Sequence, residues 1–90
     1  MSGCYLQVTY RLGRPLAAYY YLPRRSGQKS CRSKEAAPGL VVDYARNGRP
    51  IGIEITAPSL VTLQAINRVL KGLGFPALKR AELKPLRKAS

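Results

Sequence analysis

The stretch GLVVDYARNGRPIGIEI, Gly39 to Ile55, decides the fold, because it joins two strand-forming runs through Asn47-Gly48. Asn-Gly between alternating apolar residues is the strongest short hairpin signal, since a two-residue reversal requires φ > 0 at both positions. With Asn47 and Gly48 as the loop, Arg46 faces Arg49, Tyr44 faces Ile51, Asp43 faces Gly52 and Val42 faces Ile53. Alternation then puts Val42, Tyr44, Ile51, Ile53 and Ile55 on one face, and Val41, Asp43, Ala45, Gly52 and Glu54 on the other.

Toward the N-terminus, CYLQVTY (4–10) alternates with Leu6, Val8 and Tyr10 on one side, and Leu12 to Pro15 reads as a turn. LAAYYYL (16–22) is a second strand, with Leu16, Ala18, Tyr20 and Leu22 on one face and Tyr19 and Tyr21 on the other. Ser26-Gly27 marks a reversal, and a third strand of poor apolar content follows over 29–36. In that register Tyr21 opposes Arg32, Tyr19 opposes Lys34, and Cys31 and Ser33 face Leu22 and Tyr20.

Beyond the hairpin the period changes from 2 to about 3.6. Leu60, Leu63, Ile66, Val69, Leu70 and Leu73 recur at helical spacing, which predicts an amphipathic helix over 59–72. Pro58 suits its first turn, Ser59 its cap, and Gly72 or Gly74 its end. The remaining FPALKRAELKPLRKAS is basic and interrupted by Pro76 and Pro85, with room for one short helical turn around 77–83. The expected architecture is α+β: an antiparallel meander sheet of four to five strands packed on one helix in the C-terminal half. A single domain spans 1–75, and a basic C-terminal tail spans 76–90.

Ninety residues allow one modest core, and a domain of this size is marginal enough that self-association is expected. The outlying quantity is charge: 16 Lys and Arg against 4 Asp and Glu, with no His, a net +12. Such a field favours polyanions; the competing reading is a merely solvated Arg-rich surface. No secretory leader and no apolar run near 20 residues is visible, so the expectation is a cytoplasmic protein with no membrane partner. Cys4 and Cys31 are expected to be reduced and buried. Without His or a CxxC spacing, no metal site and no cofactor is expected. Among the four carboxylates, Asp43 and Glu54 are diagonal neighbours about 5–8 Å apart on the hairpin. An exposed pair answering arginines is the simpler reading than acid–base work, and no nucleophile–base pair exists, so the protein is read as non-enzymatic.

The hairpin and its approach resemble the YuzE-type small bacterial proteins, a family of unknown function. The matching residues are Gly39, Val41, Val42, Asp43, Tyr44, Gly48, Arg49, Gly52, Ile53, Glu54 and Ile55, with Tyr21 matching an aromatic of the second strand. Where the family has acidic residues before the turn, this chain has Ala45, Arg46 and Asn47; Ala18 replaces another in the second strand. The resemblance implies an antiparallel α+β domain. It also implies an antitoxin-like role, binding an operon partner, as the alternative function.

The favoured function is nucleic-acid binding by a self-associating module. Candidate contacts are Arg24, Arg25, Lys29, Arg32 and Lys34, Arg46 and Arg49 at the hairpin turn, and Lys79 and Arg80 in the tail. Tyr19 and Tyr21, expected on the same face as Arg32 and Lys34, would add base stacking to phosphate contact. The apolar helix face, Leu63, Ile66, Leu70 and Leu73, is the candidate dimer interface, and Leu78, Leu83 and Leu86 are candidates for a protein partner's groove.

Overall fold

A computed structural model describes residues 4–23 and 28–87. It is α+β, with strands β1 (Tyr5–Arg11), β2 (Arg14–Tyr21), β3 (Arg32–Ala37), β4 (Leu40–Tyr44) and β5 (Pro50–Ile55). A 3-10 turn at Pro58–Leu60 leads into helix α1 (Leu63–Leu73), and a second 3-10 turn (Arg80–Leu83) runs into the short helix α2 (Lys84–Arg87). All strand pairs are antiparallel, in the order β1-β2-β5-β4-β3. No helix among the described residues is long and apolar enough to cross a membrane.

The hairpin register is as expected at its centre, where Val42 pairs with Ile53 and Asp43 with Gly52. Nearer the turn it differs. Tyr44 pairs with Pro50, leaving an irregularity beside Asp43, and Arg46 does not face Arg49. The Ala45 N–H donates to Arg49 O at 2.8 Å and the Gly48 N–H to Ala45 O at 2.9 Å. This is a three-residue loop in which Gly48 alone takes positive φ, at 87°. Asn47 contributes through its side chain, accepting the Arg49 N–H at 3.0 Å.

A larger correction concerns β3. It pairs with β4, so Arg32 lies opposite Tyr44 and Lys34 opposite Val42, and neither opposes Tyr21 or Tyr19. Pro38-Gly39 makes the reversal: Ala37 pairs with Leu40 and Gly39 has φ 80°, the conformation that Pro-Gly favours in a type II turn. β2 pairs instead with β5, setting Tyr20 against Ile53 and Ala18 against Ile55. The expected Ser26-Gly27 turn lies outside the described residues.

These registers give one covered face. Its rows run Leu6–Tyr20–Ile53–Val42–Lys34 and Val8–Ala18–Ile55–Leu40–Ala37. Leu40, Ile53 and Ile55 are completely buried, packed with Ile66 and Leu70 of α1. Leu16, expected on this face, is exposed because β2 carries a bulge there: Thr9 pairs with Ala17 and Tyr10 with Pro15.

The helix starts later than its periodicity predicts. Val61 is extended and buried in the core, which breaks the run, and the Thr62 side chain caps α1 by accepting the Ala65 N–H at 3.1 Å. Ser59 is not the cap, and Leu60 is exposed. Gly74, in the left-handed region, ends the helix. The segment after it folds back on the body. Asn67 clasps the Leu78 backbone, donating to its carbonyl at 3.1 Å and accepting its N–H at 2.7 Å. Leu78, Leu83 and Leu86 are core residues, and Tyr10 donates its hydroxyl to Pro85 O at 2.9 Å. Cys4 and Cys31 are free, as expected, but exposed rather than buried.

Two consequences are measurable. Gly48→Ala forces a left-handed Cβ into otherwise open space and should cost about 1–2 kcal/mol in urea unfolding. Burial, with Cys4 alongside, raises the Tyr20 phenol above its ordinary value near 10. The folded state therefore holds that proton more tightly than the unfolded state, and its contribution to stability is lost as pH climbs above about 10. Tyr20→Phe should flatten that alkaline decline in melting temperature.

Candidate functional site

The sheet's second face carries the rows Gln7–Tyr19–Glu54–Val41–Glu35 and Tyr5–Tyr21–Gly52–Asp43–Ser33. At its centre the Tyr19 ring lies across Gly52, where any Cβ would overlap the ring. This placement lets Tyr19 Oη donate to Asp43 Oδ2 at 2.8 Å, while Ser33 Oγ donates to Asp43 Oδ1 at 2.5 Å. Asp43 is only 9% exposed, and both its oxygens are thereby satisfied. Beside this cluster Tyr21 stacks on Tyr5 with centroids 4.4 Å apart, meets Tyr19 edge-on at 4.7 Å, and donates to Gln7 Oε1 at 2.8 Å.

Glu35, Asp43 and Glu54 thus share this face, and the diagonal relation of Asp43 to Glu54 is present. Among the described residues no group of three His, Cys, Asp or Glu is placed to hold a metal ion.

The cations of β3 lie on the other face. Arg32 and Lys34 alternate toward the helix side of β3, where Arg32 sits over the Tyr44 ring at 5.5 Å. An open groove of about 320 Å³ runs between α1 and the β3–β4 edge, lined by Ala36, Val42, Tyr44, Val69, Leu73 and Arg68 among others. Arg68, which the candidate set missed, is an exposed outward position of the helical periodicity, and it lines this groove together with Val42 and Tyr44, the β4 partners of Lys34 and Arg32. Tyr19 and Tyr21 are three strand spacings from β3, about 14 Å, and on the opposite face. Among the described residues, Tyr19 and Tyr21 therefore do not share a face with Arg32 and Lys34.

Lys29, Arg46, Arg49, Lys79 and Arg80 are exposed, with Arg46 and Arg49 at the β4–β5 turn and Arg80 beside a second groove with Lys84. Arg24 and Arg25 lie outside the described residues. Of the candidate interface, Ile66 and Leu70 are wholly inside the core, and Leu63 and Leu73 are half-buried against it. The face remaining to a partner is correspondingly reduced. The leucines considered for a partner's groove, Leu78, Leu83 and Leu86, are likewise consumed by the chain's own core.

Residues 17–58 match the family model of DUF2283, a protein of unknown function. The DUF2283 match covers the second part of β2 and all of β3, β4 and β5, and includes Tyr19, Ser33, Asp43 and Gly52, the whole of the central cluster. It stops before α1 and Arg68. No curated protein and no solved structure gave a match.

Gly52→Ala should expel the Tyr19 ring and strip Asp43 of one donor, costing about 2–4 kcal/mol. Tyr19→Phe, which keeps the ring but removes the donor, should cost about 1–2 kcal/mol. Equal losses for the two variants in chemical denaturation would show that the close approach at residue 52 carries no energy of its own.

Proposed function

We propose that this protein is a non-enzymatic nucleic-acid-binding module that holds phosphates along the groove between α1 and β3. The observation supporting this reading is the sorting of charge by face. Three of the four carboxylates, Glu35, Asp43 and Glu54, lie on the uncovered sheet face, whereas Arg68 lines the groove on the other side and Arg32 and Lys34 pair with its lining residues Tyr44 and Val42. A net +12 chain concentrates its field where its own carboxylates do not offset it. Arginines flanking a concave surface suit bidentate phosphate contact. Engagement of both Asp43 oxygens by Tyr19 and Ser33 supports a structural rather than a catalytic carboxylate. The hairpin residues Gly39, Asp43, Gly48, Gly52 and Glu54 support a YuzE-type assignment within the matched stretch.

The test is fluorescence anisotropy with labelled single- and double-stranded oligonucleotides across a salt series. Binding should weaken steeply with salt, and Arg32→Ala, Lys34→Ala and Arg68→Ala combined should reduce the log–log slope by about 2–3. An unchanged slope and affinity in that triple variant would reject the groove as the contact surface. Absence of binding at low salt would reject the function.

A further inference from the structure

We propose that two copies of this chain pair antiparallel through the outer edge of β1, about a two-fold axis near Gln7, to join their sheets into one. The sheet has two edge strands, β1 and β3. β1 pairs only with β2, and no described residue hydrogen-bonds along its other side. Tyr5 to Tyr10 reads YLQVTY, six residues without charge, proline or glycine. An exposed edge of that composition is a template for another strand.

The two edges differ in what a two-fold axis would do to them. Such an axis sets residues of the same face opposite each other. On β3, centring on Ser33 opposes Arg32 to Lys34, centring on Lys34 opposes that lysine to itself, and centring on Glu35 opposes two carboxylates. Every central register of β3 is thus penalised by like charges. On β1, centring on Gln7 sets Leu6 against Val8 twice on the helix side and Tyr5 against Thr9 on the uncovered side. Centring on Val8 sets Val8 against itself and Gln7 against Thr9. Neither register opposes like charges.

Packing points the same way. Leu6 and Val8 are half-buried at the margin of the core, so the Gln7-centred pairing extends the rows Leu6–Tyr20–Ile53 and Val8–Ala18–Ile55 into a second copy. Tyr5 is 51% exposed, with its ring already fixed against Tyr21. With Ile66 and Leu70 spent on the core, this neutral edge is the surface best suited to a second copy. A strand-edge dimer requires neither the groove nor a polyanion. Because each copy carries +12, its association should tighten as salt rises, opposite to phosphate binding.

Sedimentation equilibrium at micromolar concentration, at low and high salt, reads the association directly. The natural chain is expected to be dimeric and more so at high salt. Gln7→Lys with Thr9→Lys, hostile to both registers, should raise the dimer Kd about tenfold or more, with circular dichroism unchanged. Leu60→Asp, at an exposed site on the helical layer, should leave the dimer intact. Gln7→Cys in a Cys4→Ser, Cys31→Ser background should form an intermolecular disulfide on mild oxidation. A natural chain that stays monomeric at both salts, a dimer indifferent to the paired lysines, or a failure to cross-link would each overturn the proposal.

Discussion

The Tyr19 ring can lie across the middle of the sheet only because residue 52 has no side chain, and much of the structure follows from that contact. From β2 the ring spans β5 and reaches Asp43 on β4, so three neighbouring strands are tied by one side chain and one carboxylate. Glycine inside a strand ordinarily costs stability. Here its cost is offset by aromatic packing and by a charged hydrogen bond, each stronger away from bulk water. A second donor from β3, Ser33, completes the arrangement. Four of the five strands are thereby committed to one order around a nearly buried carboxylate, and removal of any donor leaves that carboxylate underserved.

The distribution of charge is a consequence of this order. Once β3 pairs with β4, strict alternation sends Ser33 and Glu35 to the uncovered face and Arg32 and Lys34 toward α1. The same alternation puts Asp43 and Glu54 with Glu35. A shift of β3 by one residue would have placed two cations beside Tyr19's carboxylate partner and left Asp43 without Ser33. The register is consequently held by core packing at Val42 and by the polar cluster behind it, on opposite faces of the same strand.

What the sequence revealed was local, and what it concealed was the choice of distant partners. Val41 to Asp43 against Gly52 to Glu54 could be read from alternation and a nearby reversal. The turn itself could not, because Asn-Gly is compatible with two loop lengths, and Asn47 serves through its carbonyl instead of adopting positive φ. Pairing of β2 with β5 has no periodic signature at all, since alternation reports a strand's faces and not its neighbour. Pro38-Gly39 did carry the missing information, for it joins β3 tightly to β4 and thereby denies β3 to β2. The helical spacing that begins at Leu60 misled for a different reason: burial of Val61 in an extended conformation outweighed continuation of the helix through it. At the C-terminus, basic composition masked Leu78, Leu83 and Leu86, whose spacing is too irregular to announce a core contribution but which pack once Asn67 has fixed the backbone at Leu78.

The stretch similar to DUF2283 and the remainder of the chain divide the work unevenly. Residues 17–58 hold Tyr19, Gly52, Asp43 and Ser33, a set explained by strand order and by satisfaction of a carboxylate. They also hold Val42 and Tyr44, one wall of the groove, with Lys34 and Arg32 paired opposite them. The other wall, Val69, Leu73 and Arg68, lies beyond the matched stretch, as does β1 with its neutral edge. The hydrogen bonds that Asp43 accepts from Tyr19 and Ser33 come from neither α1 nor β1. In this chain α1 and β1 place the groove lined by Arg68 and an uncharged strand edge on well-separated parts of the sheet, the β3 side and the β1 side. The two proposed contacts, phosphate at the groove and self-pairing at the β1 edge, therefore do not compete for one surface.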